Sequence, residues 1–111
     1  MDKSSFTKKL KNGELTFKAV LAFIEDHYSF TPTAFINGSL SNSSDQNQGS
    51  CKVFALGKIL QYDKETTLSL FCEHYQNVLA TPDGEDHQNI RNFMKTGFEK
   101  VSFENFPLSK K

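Results

Sequence analysis

Residues 17–28 read FKAVLAFIEDHY, and this stretch decides the fold class. Its apolar side chains recur three and four positions apart, which places them on one face of an α-helix and leaves the charged side chains on the other. Thr16 precedes the stretch and is a natural N-cap, because its hydroxyl can accept a hydrogen bond from an amide that the helix leaves free. The sequence therefore predicts an amphipathic helix packed against a core.

Four more segments carry helical spacing or a helix-start residue, and two short segments are typical of strands. The helical segments are residues 5–11, 51–61 with Ser50 as N-cap, 64–79 with Asp63 as N-cap, and 87–96 with Asp86 as N-cap. The strand segments are 33–36, followed by an Asn37-Gly38 turn, and 101–103, while the polar residues 39–49 are predicted as a loop. The predicted fold is α+β, mainly α. It has about five helices around a Phe-rich core and a small two-stranded β element, in one domain spanning residues 1–111.

Composition excludes several classes of partner. Thirteen basic and thirteen acidic residues cancel in 111 residues, so nucleic acid is not expected as a partner. The basic residues cluster only at Lys3, Lys8, Lys9 and Lys11. No apolar run is long enough to cross a bilayer, so no membrane role is expected. The two cysteines are predicted to be free thiols in a reducing cytosol, since small disulfide-stabilised domains carry more.

Three segments together resemble a known bacterial family. They are FTPTAF at 30–35 with Asn37-Gly38, GSCK at 49–52 with Phe54-Ala55, and LATPDG at 79–84 with DHQNIRNFM at 86–94. In this order, and over residues 5–108, they resemble the HopJ type III effector family. The resemblance implies a bacterial protein, and it brings no established catalytic residue with it. The expected location is the bacterial cytoplasm. Secretion by a type III system is the alternative, which the start of the chain does not support, because Phe6 and Leu10 make it part of the fold rather than a mobile leader.

Cys51 is the sharpest chemical candidate. With Ser50 as N-cap, its thiol would lie in the first helical turn, where free amides and the helix dipole stabilise a thiolate. A nucleophilic cysteine also needs a histidine base, for which His87 and His74 are the candidates. The alternative interpretation is a partly buried structural thiol. Cys72, on the apolar stripe of residues 64–79, is predicted to be plain core.

A polar cluster near residue 87 is the second candidate, here as a binding surface. With the turn and the helix start before it, the predicted binding residues are Asn37, Cys51, Lys52, Asp83, Asp86, His87, Asn89, Arg91 and Asn92. The alternative interpretation is local, because caps, turns and side-chain hydrogen bonds use the same residue types. Neither a metal site nor a cofactor is predicted, since the sequence lacks paired cysteines, an HxxxH pair and a phosphate loop.

Three functions follow from these observations. The favoured hypothesis is a non-enzymatic binding or effector-type protein that meets a protein partner through the polar loop, the start of the Cys51 helix and the His87 helix. The second is a small cysteine-dependent enzyme in which Cys51 works with His87 or His74, oriented by Asn89 or Asp86. The third is a structural cytosolic protein without a ligand.

Overall fold

The computed structural model describes residues 1–111 and contains six α-helices, a short 3-10 helix and five strands. The helices are α1 (Lys3–Lys11), α2 (Phe17–His27), α3 (Gln48–Ile59), α4 (Lys64–Ser69), α5 (Glu73–Ala80) and α6 (Gln88–Thr96), with the 3-10 helix at Gly97–Lys100. The strands are β1 (Tyr28–Phe30), β2 (Phe35–Asn37), β3 (Leu40–Asn42), β4 (Val101–Phe103) and β5 (Leu108–Lys110). The predicted α+β, mainly α, class is confirmed.

Two helices begin where their cap residues predicted. The Thr16 hydroxyl accepts a hydrogen bond from the Ala19 amide at 3.2 Å, which fixes the start of α2. The Asp63 carboxylate accepts one from the Thr66 amide at 2.7 Å, which fixes the start of α4. In both cases the side chain satisfies an amide that has no partner within the helix.

The single helix predicted at residues 64–79 is wrong, because the chain breaks between α4 and α5. Cys72 adopts φ 52° and ψ −119°, a conformation that a helix does not contain. The break turns the adjacent Leu70 and Phe71 both into the core, where each is at most 2% exposed. Cys72 itself is half-buried rather than core, which corrects its predicted placement.

The strands form two small antiparallel sheets. The predicted pairing of residues 33–36 with 101–103 is confirmed with shifted bounds, since β2 pairs with β4 in the register Asn37 to Val101. The predicted loop at 39–49 is wrong in part, because β3 lies within it and extends this sheet in the order β3-β2-β4. Gly38, at φ 62°, makes the two-residue turn between β2 and β3. A second sheet pairs β1 with β5 and was not predicted.

Phenylalanine rings fill the core, as predicted. Phe54 lies at its centre with no exposed surface, and its ring centroid is 4.8 Å from that of Phe93 and 5.5 Å from that of Phe71. Phe6 of α1 stacks on Phe23 of α2 at 4.0 Å, so the first helix is part of the fold. None of the helices combines the length and the apolar composition that a membrane-crossing segment requires.

Candidate functional site

A cleft of about 630 Å³ lies where the polar loop, the start of α3 and the start of α6 meet. Its lining is Phe17, Leu40, Ser41, Asn42, Gln46, Asn47, Gly49, Ser50, Phe71, His74, His87, Gln88, Asn89 and Ile90. These side chains are apolar, amide, hydroxyl or imidazole groups, and none is a carboxylate, lysine or arginine. The cleft therefore offers a partner an apolar surface among uncharged hydrogen-bonding groups.

Both helices that border the cleft begin without a side-chain cap. The residues before α3 and α6 are Asn47 at φ 51° and His87 at φ 50°, and neither side chain bonds its helix. The predicted caps are therefore wrong: Ser50 lies inside α3, and Asp86 bonds Arg91 instead. The first amides of a helix have no partner within it, so the lining contains two sets of free N–H donors. Positive φ at two non-glycine residues costs free energy and is enriched at functional sites.

Asparagine side chains join the elements around the cleft. The Asn37 amide donates to the Asn89 side-chain oxygen at 3.0 Å and to its carbonyl at 2.8 Å, which ties β2 to α6. Asn42 accepts from Asn89 at 3.0 Å and from Asn47 at 2.7 Å, which ties β3 to both helix starts. Asn92 donates to the Asn37 carbonyl at 3.0 Å. Asn37 Oδ1, in contrast, is buried without a hydrogen-bond partner. This asparagine network fixes the shape of the cleft.

Arg91 holds the loop that leads into α6. It is one of the buried residues at 9% exposed. Its guanidinium donates to the Asp86 carbonyl at 2.6 Å, the Asp86 carboxylate at 2.7 Å and the Thr81 carbonyl at 2.7 Å. A Cβ on Gly84 would lie 2.6 Å from this guanidinium, so the loop needs glycine there. Arg91 thus positions His87 without lining the cleft itself.

His74 and His87 are neighbours in the cleft lining, with ring centroids 5.2 Å apart. The His74 ring also meets Phe17 edge-on at a centroid distance of 4.8 Å. His87 Nε2 lies 4.0 Å from a carboxylate oxygen of Asp86, and its side chain is 32% exposed. Each imidazole can donate or accept a hydrogen bond, so the pair can adapt to either kind of group on a partner.

Cys51 lies outside the cleft lining and has no exposed surface. Its amide already bonds the Asn47 carbonyl at 3.1 Å, since α3 begins three residues earlier than predicted. Burial raises the pKa of the Cys51 thiol to about 11. These features are the opposite of those that activate a thiol at a helix start.

The predicted binding residues divide into three groups. His87 and Asn89 line the cleft, and the catalytic candidate His74 lines it with them. Four others do not line the cleft but hold the elements around it through hydrogen bonds: Asn37, Asn92, Arg91 and Asp86. The others lie elsewhere: Cys51 is buried, Asp83 is exposed in the turn before α6, and the Lys52 ammonium sits 4.6 Å above the Phe30 ring.

Most of the apolar lining and two of the asparagines were not predicted as site residues from the sequence. Phe17 and Phe71 looked like core residues because they lie on apolar stripes, and their contribution to a cleft depends on tertiary packing. Asn42 and Asn47 fell in the segment predicted as a loop. The only signal for them was the unusual density of amide and hydroxyl residues between 39 and 49.

We expect iodoacetamide to modify Cys51 of the folded protein very slowly, and Cys72 slowly but faster. Burial raises the pKa of both thiols to about 11, so at pH 8 their thiolate fraction is about a hundredfold or more below that of a free thiol. Cys72 is also partly exposed, whereas Cys51 is not. Mass spectrometry between about pH 5 and 9 should show rates that rise throughout, with the urea-unfolded chain as control. Fast labelling of Cys51 with an apparent pKa below about 8.5 would contradict this.

Comparison with known proteins gives a family and a fold relative. The model of the family described as HopJ type III effector protein matches residues 3–108. The crystal structure of VPA0580, a protein of unknown function, matches with a TM-score of 0.94 and 45% sequence identity. That match covers 100% of this chain and 95% of the other. No curated protein matches the sequence.

Proposed function

This chain belongs to the HopJ type III effector protein family, and we propose that it is a non-enzymatic binding protein whose cleft takes a segment of a protein partner. The observation that carries the proposal is the cleft itself. It joins the polar loop, the start of α3 and the start of α6 in one concave surface.

The composition of the lining suits a peptide segment. Phe17 and Leu40 are the partly exposed apolar side chains of the lining, and they offer contact for a buried side chain of the segment, the kind of contact that gives most of the affinity in protein recognition. The free amides at Gly49, Ser50 and the start of α6 can donate to carbonyl or carboxylate oxygens of the segment. The lining contains no carboxylate, lysine or arginine, so an apolar segment can enter without stripping water from such an ion.

Hydrogen bonds around the cleft hold its shape in the free protein. The asparagine network links β2, β3, α3 and α6, and Arg91 holds the loop that leads into α6. A preformed site loses less conformational entropy on binding than a mobile one. The positive φ at Asn47 and His87 is retained because these bonds hold the helix starts.

The cysteine-dependent alternative has less support. It would use Cys51 with His87 or His74, oriented by Asn89 or Asp86, and both histidines do line the cleft. A nucleophile must reach its substrate, however, and Cys51 has no exposed surface and a raised thiol pKa. We place the protein's action in the bacterial cytoplasm, where a free thiol remains reduced.

A peptide selection with a blocked cleft tests the proposal. We expect random peptides displayed on phage to be enriched on the wild-type protein and to bind it as free synthetic peptides. Ser50→Tyr puts a ring into the cleft and should weaken this binding at least about tenfold, as measured by fluorescence anisotropy. Ser109→Tyr, on the exposed face of β5, is the matched control and should change affinity less than about twofold. Enriched peptides that bind all three proteins equally, or the absence of enrichment, would reject the cleft as the binding site.

A further inference from the structure

The outer face of α1 is a second surface with an unusual charge. The helix contains Lys3, Lys8, Lys9 and Lys11 and no acidic residue. All four lysines are exposed, whereas Phe6 and Leu10 of the same helix are buried in the core. Lys3, Lys8 and Lys11 line a shallow depression together with the neutral side chains of Ser4, Thr7 and Asn12.

None of these lysines forms an ion pair, although Lys11 lies within electrostatic range of the Asp63 carboxylate. The ion pair of the structure joins Arg91 to Asp86, and α1 takes no part in it. The nearby Asp2 carboxylate is engaged as the N-cap of α1, where it accepts from the Ser5 amide at 2.7 Å. Outside α1 the chain has nine basic and thirteen acidic residues. Positive charge is therefore concentrated on α1 in a protein of zero formal net charge.

Helix stability alone does not explain the pattern. Lysines in the last turn interact favourably with the helix dipole, and this accounts for Lys8, Lys9 and Lys11. Lys3 lies in the first turn, where the dipole disfavours a positive charge. An amphipathic helix at a surface also normally mixes both signs of charge, since opposite pairs one turn apart stabilise it. The exposed side of α1 therefore presents lysines among neutral side chains and is accessible to a partner.

We propose that the α1 face docks an acidic peptide segment of a protein partner, at a site separate from the cleft. Charge complementarity defines the chemistry of that partner, because unpaired lysines attract a segment rich in Asp or Glu and steer its approach. A membrane fits less well, since Phe6 and Leu10 are buried in the protein's own core and cannot enter lipid. A nucleic acid fits less well because the face has no arginine and no aromatic side chain on which a base could stack.

The test measures binding of a fluorescein-labelled ten-residue polyglutamate to the full chain by anisotropy at low salt. Lys8→Gln/Lys11→Gln should weaken binding about three- to tenfold. Lys58→Gln/Lys100→Gln removes the same net charge from exposed positions outside α1 and should change affinity less than about twofold. Raising the salt to about 0.5 M should abolish binding to the wild type, since these are exposed charges.

The remaining outcomes overturn the proposal. Equal losses in the two double variants would mean that only net charge matters, and no binding of polyglutamate would mean that the face does not recognise acidic peptides. Vesicles of 3:1 phosphatidylcholine and phosphatidylserine are the competing probe. Binding to the vesicles that requires Lys8 and Lys11, without binding to polyglutamate, would assign the surface to an anionic membrane instead.

Discussion

Arg91→Ala is expected to reduce the free energy of unfolding by about 3 kcal/mol. The guanidinium is almost fully buried and donates to the carbonyls of Thr81 and Asp86, at 2.7 and 2.6 Å. Alanine would leave the Asp86 carbonyl without this donor, would leave the Thr81 carbonyl with the Gly84 amide alone, and would open a space beneath the loop. Urea unfolding should show a lower midpoint with an unchanged slope, the signature of a change in stability alone.

Two further variants show which property of the Arg91 side chain causes the loss of stability. Arg91→Lys keeps the charge but loses the planar fork, so it should recover only part of the loss. Lys95→Ala lies on the same helix at an exposed position and should stay within about 0.5 kcal/mol of the wild type. An Arg91→Ala protein as stable as the Lys95→Ala protein would contradict the role given to this side chain.

The pH dependence of the same variant provides a second readout. The hydrogen bond from Arg91 holds the pKa of the Asp86 carboxyl below its usual 3.8. Because the folded-state pKa is the lower one, this stabilisation is present above about pH 4 and is lost as the pH falls through the folded pKa. The stability difference between wild type and Arg91→Ala should therefore shrink slightly in acid, whereas the difference for Lys95→Ala should not.

Phe54→Ala is expected to cost about 3–5 kcal/mol, the largest effect of any single core truncation. The ring has no exposed surface and packs against Phe35, Phe71 and Phe93, so its removal leaves a cavity that three other rings border. Phe106→Ala is the matched control, because Phe106 is 47% exposed and should lose less than about 1 kcal/mol. Chemical or thermal unfolding of both variants measures the difference, and equal losses would disprove the central position of Phe54.

Sequence patterns predicted those helices whose apolar faces are regular. Residues 17–28 have one apolar stripe and a capping threonine, and α2 forms there almost residue for residue. The same rule failed at residues 64–79, because periodicity does not report a break that buries the adjacent Leu70 and Phe71. Strands of three residues, such as β3 and β5, are too short to show an alternating pattern in the sequence. Whether they form depends on the strands with which they pair.

The residues that line the cleft could be predicted from the sequence only in part. The polar loop and the two helix starts were expected to form one surface, and they do border one cleft. The predicted reactivity of the Cys51 thiol depended on where its helix begins. Because α3 begins three residues earlier than predicted, Cys51 lies beyond the free helix start and its thiol is buried in the core. Asp86 illustrates the same limit, since a carboxylate before a helix can cap it or bond an arginine, and only the folded loop decides.

The most direct test of the binding proposal is nuclear magnetic resonance of the uniformly ¹⁵N-labelled protein titrated with the best peptide from the selection. Amide shifts should change most at Gly49, Ser50 and Asn89, where helix-start N–H groups line the cleft, and little in α1. A titration in which these amides stay unchanged while shifts move elsewhere on the surface would contradict the account.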